Sequence, residues 1–399
     1  MTETLKSFED LQGYVERLGL FRVDLGLDRM EEALSRTGLG SSPFPIIHVL
    51  GTNGKGSTAI YIQELARRQG LCVGLYTSPH LADIRERISV GGRMASREKW
   101  LSAGNEILRS CGNLGLTYFE FLTLLAGLLF AASEVDLAVF EAGLGGRFDA
   151  TSAFVPELTV FTPLGRDHCG VLGNSLQEIA GDKAAAIKTA PVVSAPQPGG
   201  IGDILRAAAR DKGAVVSFVS APEAGGNFLE ANFRLAKKAW GEYCRIKDLA
   251  ALPVPGRRDL KVLIPGRMHR VRRAPDIVLD GAHNPHALES LYHVLHDSGF
   301  RPGLVIFSCF ADKDISGMCA ALKHFFCPVA VCSLGEKDRA DARDEVIRQL
   351  GQRAQKQDLK DLVPVLAKPA EDILVCGSLY LLGRVYSLFP HWPAHGENV

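Results

Sequence analysis

The feature that most restricts the fold is an alternation, sustained from about residue 45 onward, between short apolar runs and longer helical patterns. The runs at 45–50, 71–76, 135–140 and 158–161 are of strand length and apolar almost throughout, as strands covered on both faces must be. Helical patterns fall at 55–69, 121–132, between 175 and 190, and at 228–244. Strands joined in this way run parallel, because only a long crossover returns the chain to a sheet in the same direction. At 399 residues the chain exceeds what one core usually serves, so two domains are expected. The expected fold class is α/β. A mostly parallel, P-loop-type sheet domain would cover 1–262, and a smaller Rossmann-like α/β domain 263–399.

The stretch 251–275 marks the changeover. Pro253, Pro255, Gly256, Pro265, Gly266 and Pro275 interrupt it, and Arg257, Arg258, Lys261, Arg267, Arg270, Arg272 and Arg273 crowd it, which predicts a linker. These cations form either a solvated connection or, in part, a phosphate-facing surface; the second reading is favoured for Arg267 alone. Beyond it the alternation resumes, with strands at 277–280, 304–308, 329–333 and 373–376 and a helix at 285–296.

Composition excludes several classes. Lys+Arg and Asp+Glu balance at 45 each, so no global field draws the chain to nucleic acid or an anionic membrane. The N-terminus Met1-Thr2-Glu3-Thr4-Leu5-Lys6 is polar, and the longest apolar stretch, around 121–132, is too short to span a bilayer. Nine cysteines, odd in number and scattered, fit reduced thiols and a cytoplasmic location.

Gly51-Thr52-Asn53-Gly54-Lys55-Gly56-Ser57 follows a strand and opens a helix. Glycines there admit phosphate oxygens, helix-start N–H groups point at them, and Lys55 adds a cation. The spacing differs from Walker A, since Gly56 separates Lys55 from Ser57. Glu141 closes the run 137–140, either as an ordinary polar strand end or as a carboxylate placed to hold Mg²⁺. His168, after Asp167, is by itself more often structural than a ligand. Lys183 lies among Ala180, Ala184, Ala185 and Ala186 on a helix that Ser175 and Glu178 start as a capping box. It is either an exposed helix residue or a lysine that apolar neighbours make reactive. Asp280-Gly281-Ala282-His283-Asn284-Pro285 closes a strand and starts a helix, as a ligand-binding turn or a plain connection.

Taken together, these strings resemble the folylpolyglutamate synthase/dihydrofolate synthase family within the Mur-ligase-like group. The resemblance adds Asp24-Leu25-Gly26-Leu27, Thr77-Ser78-Pro79-His80-Leu81, Thr117-Tyr118-Phe119-Glu120-Phe121, Glu141 through Thr151, Leu172-Gly173 and Asp182-Lys183-Ala184. In the second half it adds Pro265-Gly266-Arg267, Asp312-Lys313-Asp314 and Cys376-Gly377-Ser378-Leu379-Tyr380. It implies an ATP-dependent carboxylate–amine ligase that joins L-glutamate to dihydropteroate, and to reduced folates, through an acyl phosphate. Gly51 through Ser57 would hold the ATP phosphates, with Asn232, Arg267 and Asp280 on the nucleotide. Two Mg²⁺ ions would be held by Ser57, Ser78, Glu141, His168 and Lys183, the last as an N6-carboxylated lysine. Lys55, His168 and Lys183 would be catalytic. Asp24, Leu25, Gly26, Leu27, Thr117, Tyr118, Phe119, Glu120, Phe148, Asp149 and Ala150 would form the dihydropteroate pocket, and His283 and Ser378 would serve the glutamate. The family suggests a monomer whose partners are small molecules.

The chain departs from the family pattern at three places. Asp182-Lys183-Ala184-Ala185 replaces Glu-Lys-Ala-Gly, the stretch 221–230 is short and lacks a Gly-x-His-Gln string, and Ser308-Cys309-Phe310-Ala311 replaces a glycine-containing run. The alternatives are a Mur-type peptide ligase, or a nucleotide-binding module that has lost ligase activity.

Overall fold

A computed structural model of the chain describes residues 4–20, 22, 24–220, 227–250, 252–335 and 340–398. Most of the shortened stretch 221–230 therefore lies outside the described residues, which resume at 227. The chain divides into two compact units. One comprises Met1–His80, Ile84–Ala221 and Asn232–Leu260, the other Leu81–Asp83, Pro222–Ala231 and Lys261–Val399.

In the first unit the strands are β1 (Ile46–Leu50), β2 (Val73–Tyr76), β3 (Ile88–Val90), β4 (Arg93–Met94), β5 (Leu137–Glu141), β6 (Leu158–Phe161), β7 (Val192–Ser194) and β8 (Val216–Phe218). They lie in the order β4-β3-β2-β5-β1-β6-β7-β8. From β2 to β8 all neighbours are parallel, and β3 and β4 form an antiparallel edge. All five residues of β1 are buried, and it runs between β5 and β6, with Val49 opposite Glu141 and Leu50 opposite Phe161. The chain leaves β1 toward β2 on one side and reaches β6 on the other. Crossovers that diverge in this way leave a crevice at the carboxyl end of the strand.

Helix Tyr118–Ala131, apolar almost all round, is buried as such a helix must be. Trp100, Phe121, Phe130 and Phe140 fill the core around it. Thr117 and Glu120 close its capping box, so two residues expected in a substrate pocket also start a helix. Helix Leu176–Ala184 opens on the expected Ser175–Glu178 box.

The second unit contains β9 (His269–Arg272), β10 (Ile277–Leu279), β11 (Leu304–Phe307), β12 (Val329–Val331), β13 (Ala354–Lys356), β14 (Ile373–Cys376) and β15 (Glu397–Asn398). Their order is β13-β12-β11-β14-β10-β9-β15, parallel up to β10 and antiparallel beyond it. The arginine-rich stretch is thus not linker throughout, since its later part is the strand β9, which runs between β10 and the edge strand β15. Arg270 pairs with Asp276 at 2.9 Å and Glu397 at 3.1 Å, Arg273 also pairs with Glu397, and Arg272 donates to the Ala367 carbonyl at 2.9 Å. Among the described residues no helix is long and apolar enough to cross a membrane.

Candidate active site

The loop after β1 needs its glycines. Gly51 has φ +144°, and a Cβ there would fall 1.8 Å from Thr162 Oγ1. Gly54 has φ +88°, a left-handed value, and its Cβ would fall 2.4 Å from Asn232 Oδ1. The structure therefore sets Asn232, a nearly buried side chain, directly on the loop. Thr52 ties the loop down: its N–H donates to the Pro163 carbonyl, and its hydroxyl accepts from Gly165 N–H at 2.9 Å and donates to Gly165 O at 3.0 Å. Lys55 opens the following helix and donates to the Thr52 carbonyl at 3.2 Å. The first N–H groups of that helix have no partners within the helix, which suits an anion.

Glu141 ends β5 beside this loop. It is 4% exposed and accepts from Ser78 N–H at 2.8 Å, while its Oε2 lies 3.2 Å from where a Cβ on Gly56 would stand. Ser57 follows Gly56, and its hydroxyl is buried without a hydrogen-bond partner. A buried carboxylate beside an orphaned hydroxyl is a donor pair that a hard cation would satisfy. Among the described residues no three His, Cys, Asp or Glu side chains gather as a metal site.

Lys183 is 5% exposed, which overturns the exposed-helix reading. Burial draws its ammonium down to about 7, Lys55 pushes in the same direction, and Asp182, Asp149 and Asp167 oppose it. The glycine loop after Glu141 packs on the same helix: Asp182 accepts from Gly146 N–H at 2.9 Å, and a Cβ on Gly146 would strike the Lys183 backbone. His168 has a 36%-exposed side chain, a left-handed φ of +51° and its N–H on Asp167 at 2.9 Å. A non-glycine residue held there is a strained position of the kind found at working sites.

The expected dihydropteroate segments are mixed in character. Leu25 and Phe148 are exposed, and Tyr118 is buried beneath Arg87. Glu120 is committed to the Thr117 N–H at 2.8 Å and to Arg29 at 3.0 Å, and Arg29 also holds Asp24. Phe119 packs on Tyr76 and under Gly143. Asp149 spends both oxygens on backbone and hydroxyl donors.

In the second unit Asp280 is buried and accepts from Met268 N–H at 2.7 Å and Ala282 N–H at 2.8 Å. Burial raises its carboxyl, and Arg267 is the first opposing influence. Arg267 closes on the same turn, since a Cβ on Gly281 would fall 2.2 Å from its Nη1. His283 Nδ1 pairs with the Gly281 carbonyl at 2.8 Å, and Gly377 N–H donates to Ala282 O at 2.9 Å. That bond sets the Ser378 helix start, where the Ser378 hydroxyl caps Tyr380 N–H, beside the 280–284 turn.

Sequence reasoning passed over several residues that order these groups, namely His48, Thr151, Arg29 and the tying role of Thr52. For His48 a signal existed, a lone polar residue inside an otherwise apolar strand three positions before the glycine loop.

Comparison with known proteins matches residues 266–379 to the Mur ligase, glutamate ligase domain. The two-unit α/β architecture is that of the Mur-type ligases. A Bacillus subtilis dihydrofolate synthase/folylpolyglutamate synthase is 30% identical over 425 residues, which cover 95% of this chain and 98% of the relative. The chain belongs to the dihydrofolate synthase/folylpolyglutamate synthase family. Among solved structures, E. coli FolC in complex with DHPP and ADP superposes with a TM-score of 0.84 at 27% identity, over 98% of this chain and 99% of that one. A Yersinia pestis bifunctional folylpolyglutamate synthase/dihydrofolate synthase with Mn, AMPPNP and L-glutamate bound gives 0.82 at 26% identity, over 98% and 100%.

Proposed function

We propose that the chain joins L-glutamate to dihydropteroate, and to reduced folates, at the expense of ATP. The observation that carries this reading is the buried Glu141 carboxylate set against Gly56 of the phosphate loop and the Ser78 N–H. The E. coli and Yersinia relatives, with nucleotide, DHPP, Mn and glutamate bound, support the same substrates here.

The loop from Gly51 to Ser57 holds the nucleotide phosphates, with Lys55 as point charge and Asn232 at the loop's flank. Ser78 and Glu141 would hold one Mg²⁺, with Ser57 nearby, and Glu141 with His168 a second, beside Lys183. When bound, such ions neutralise charge on the transferring phosphoryl group. Lys183 has the chemistry to become a carbamate: a neutral amine adds CO₂ and releases one proton, and burial keeps a fraction neutral near pH 7.

The reaction balances without a redox partner. The pterin-linked benzoate carboxylate attacks the γ-phosphorus and ADP leaves, giving an acyl phosphate. The glutamate amine attacks that carbonyl, loses a proton, and inorganic phosphate departs. Asp280, Arg267, His283 and Ser378 serve the nucleotide and the glutamate in the second unit. The 24–27, 117–120 and 148–150 segments form the pterin pocket, with Leu25 and Phe148 as its apolar surface. The chain acts as a cytoplasmic monomer.

Phosphate release with ATP, Mg²⁺ and L-glutamate tests the reading, with dihydropteroate in one arm and tetrahydrofolate in the other. Glutamate-dependent turnover is expected in both arms. Its absence from both overturns the assignment, and turnover in one alone defines a monofunctional enzyme.

A further inference from the structure

A buried polar chain crosses from β1 to the turn after Glu141. His48 Nε2 lies 2.7 Å from Thr151 Oγ1, and the Thr151 hydroxyl donates to Asp149 Oδ1 at 2.5 Å. The other Asp149 oxygen accepts from Gly143 N–H at 2.9 Å and Leu144 N–H at 2.8 Å, and Oδ1 also accepts from Thr151 N–H at 3.0 Å. The proton order follows. A hydroxyl has one proton, and Thr151 gives it to Asp149, so His48 donates through Nε2–H and is left with a bare Nδ1. That Nδ1 is buried without a partner, which costs less for a lone pair than for an N–H.

All three side chains are buried. Burying a polar chain gives little stability over a well-packed apolar one, so its location is informative. The chain ends on the two N–H groups that follow Glu141-Ala142. On the other side the Phe119 ring presses on Gly143, leaving 2.5 Å to a Cβ there. The turn is therefore held between a ring and a carboxylate, and the carboxylate is itself held by the strand that leads into the phosphate loop.

Resting on the ATP–Mg²⁺ reading above, we propose that His48 and Thr151 are positioning residues that fix Asp149 and the 143–144 turn, and so set the Glu141 carboxylate to take a divalent cation. Neither touches substrate. They act on the order of the metal carboxylate, as partners behind a ligand do.

Calorimetric binding of a non-hydrolysable ATP analogue to the full-length chain, with and without Mg²⁺, tests this. Thr151→Val keeps the shape of the side chain and removes the hydroxyl. It should cost about tenfold in the Mg²⁺-dependent gain in affinity, the scale of losses behind metal ligands. Metal-free affinity should stay within about twofold, as for a site with no direct contact. Thr151→Ser, which keeps the hydroxyl, and His48→Gln, which offers an N–H at similar reach, should each retain most of the wild-type Mg²⁺ response. If Thr151→Val does not fold, His48→Leu against His48→Gln gives the same comparison. The proposal is overturned by a wild-type Mg²⁺ response in the hydroxyl-free variant, by a serine variant as impaired as valine, or by parallel loss of metal-free binding. A wild-type chain whose nucleotide binding ignores Mg²⁺ would instead remove the ligase reading, and the proposal with it.

Discussion

Lys183 illustrates how burial rather than composition decides what a side chain does. Alanines at Ala180, Ala184, Ala185 and Ala186 surround it in sequence and fit an exposed helix face as well as a buried one, so only the packing of the glycine loop on that helix separates the two. With its ammonium drawn down to about 7, Lys183→Ala should lower turnover by about a hundredfold if a carbamate is required, on the scale of lost electrostatic support. Steady-state phosphate release measures it, and wild-type turnover removes the carbamate. His48 gives a second expectation. Burial lowers its imidazole from 6.5 to about 3, so below 6.5 the unfolded chain takes up a proton that the folded chain refuses. Stability therefore falls as pH falls through that window, by about 2 kcal/mol between roughly 6.5 and 5. Urea unfolding of His48→Gln, which cannot titrate there, should show that much less acid sensitivity than wild type, and an equal slope would refute the neutral buried imidazole.

At the scale of elements, the loop after β1 was legible because strand, glycines, lysine and helix are consecutive, and the Ser175–Glu178 capping box because its spacing is local. Asn232 on Gly54 was not legible as a contact, since the two lie far apart in the sequence. Strand β9 was hidden for another reason: prolines and arginines surround it, and its ion pair with Glu397 is visible only once β15 is in place. The two legible elements can be tested directly. Gly54→Ala puts a Cβ on a left-handed backbone and onto Asn232, so the nucleotide analogue should bind at least about tenfold more weakly, as strain of ~1–3 kcal/mol implies. Calorimetry decides it, and wild-type affinity would show that loop and Asn232 yield freely. Ser175→Ala removes the hydroxyl that accepts from Glu178 N–H, with an expected loss of about 1 kcal/mol in urea unfolding. No loss would mean that packing of Ile179 and Ala180 alone holds the helix start.

At the scale of the whole molecule, the alternation of strands and helices revealed the α/β class but not how the chain is apportioned. A single boundary was expected near 262, whereas short segments far from the C-terminal half contribute to the second unit. Leu229 is the clearest of them. It is fully buried, in a core with Val278, Leu288, Leu291, Val305 and Leu374, although it precedes the rest of that core by dozens of residues. No periodicity could have assigned it, because its neighbours in sequence continue into the first unit. Leu229→Ala should therefore destabilise the second unit by about 2–5 kcal/mol, the usual range for emptying a packed leucine site. Hydrogen exchange resolves where the loss falls, because protection reports opening of each cooperative region separately. Amides of β10, β11 and β14 should exchange faster by the corresponding factor, while those of β1 and β5 keep their wild-type rates. Equal acceleration in both sheets would show that the two units open as one, and unchanged rates in β10 would show that Leu229 is not part of the second core.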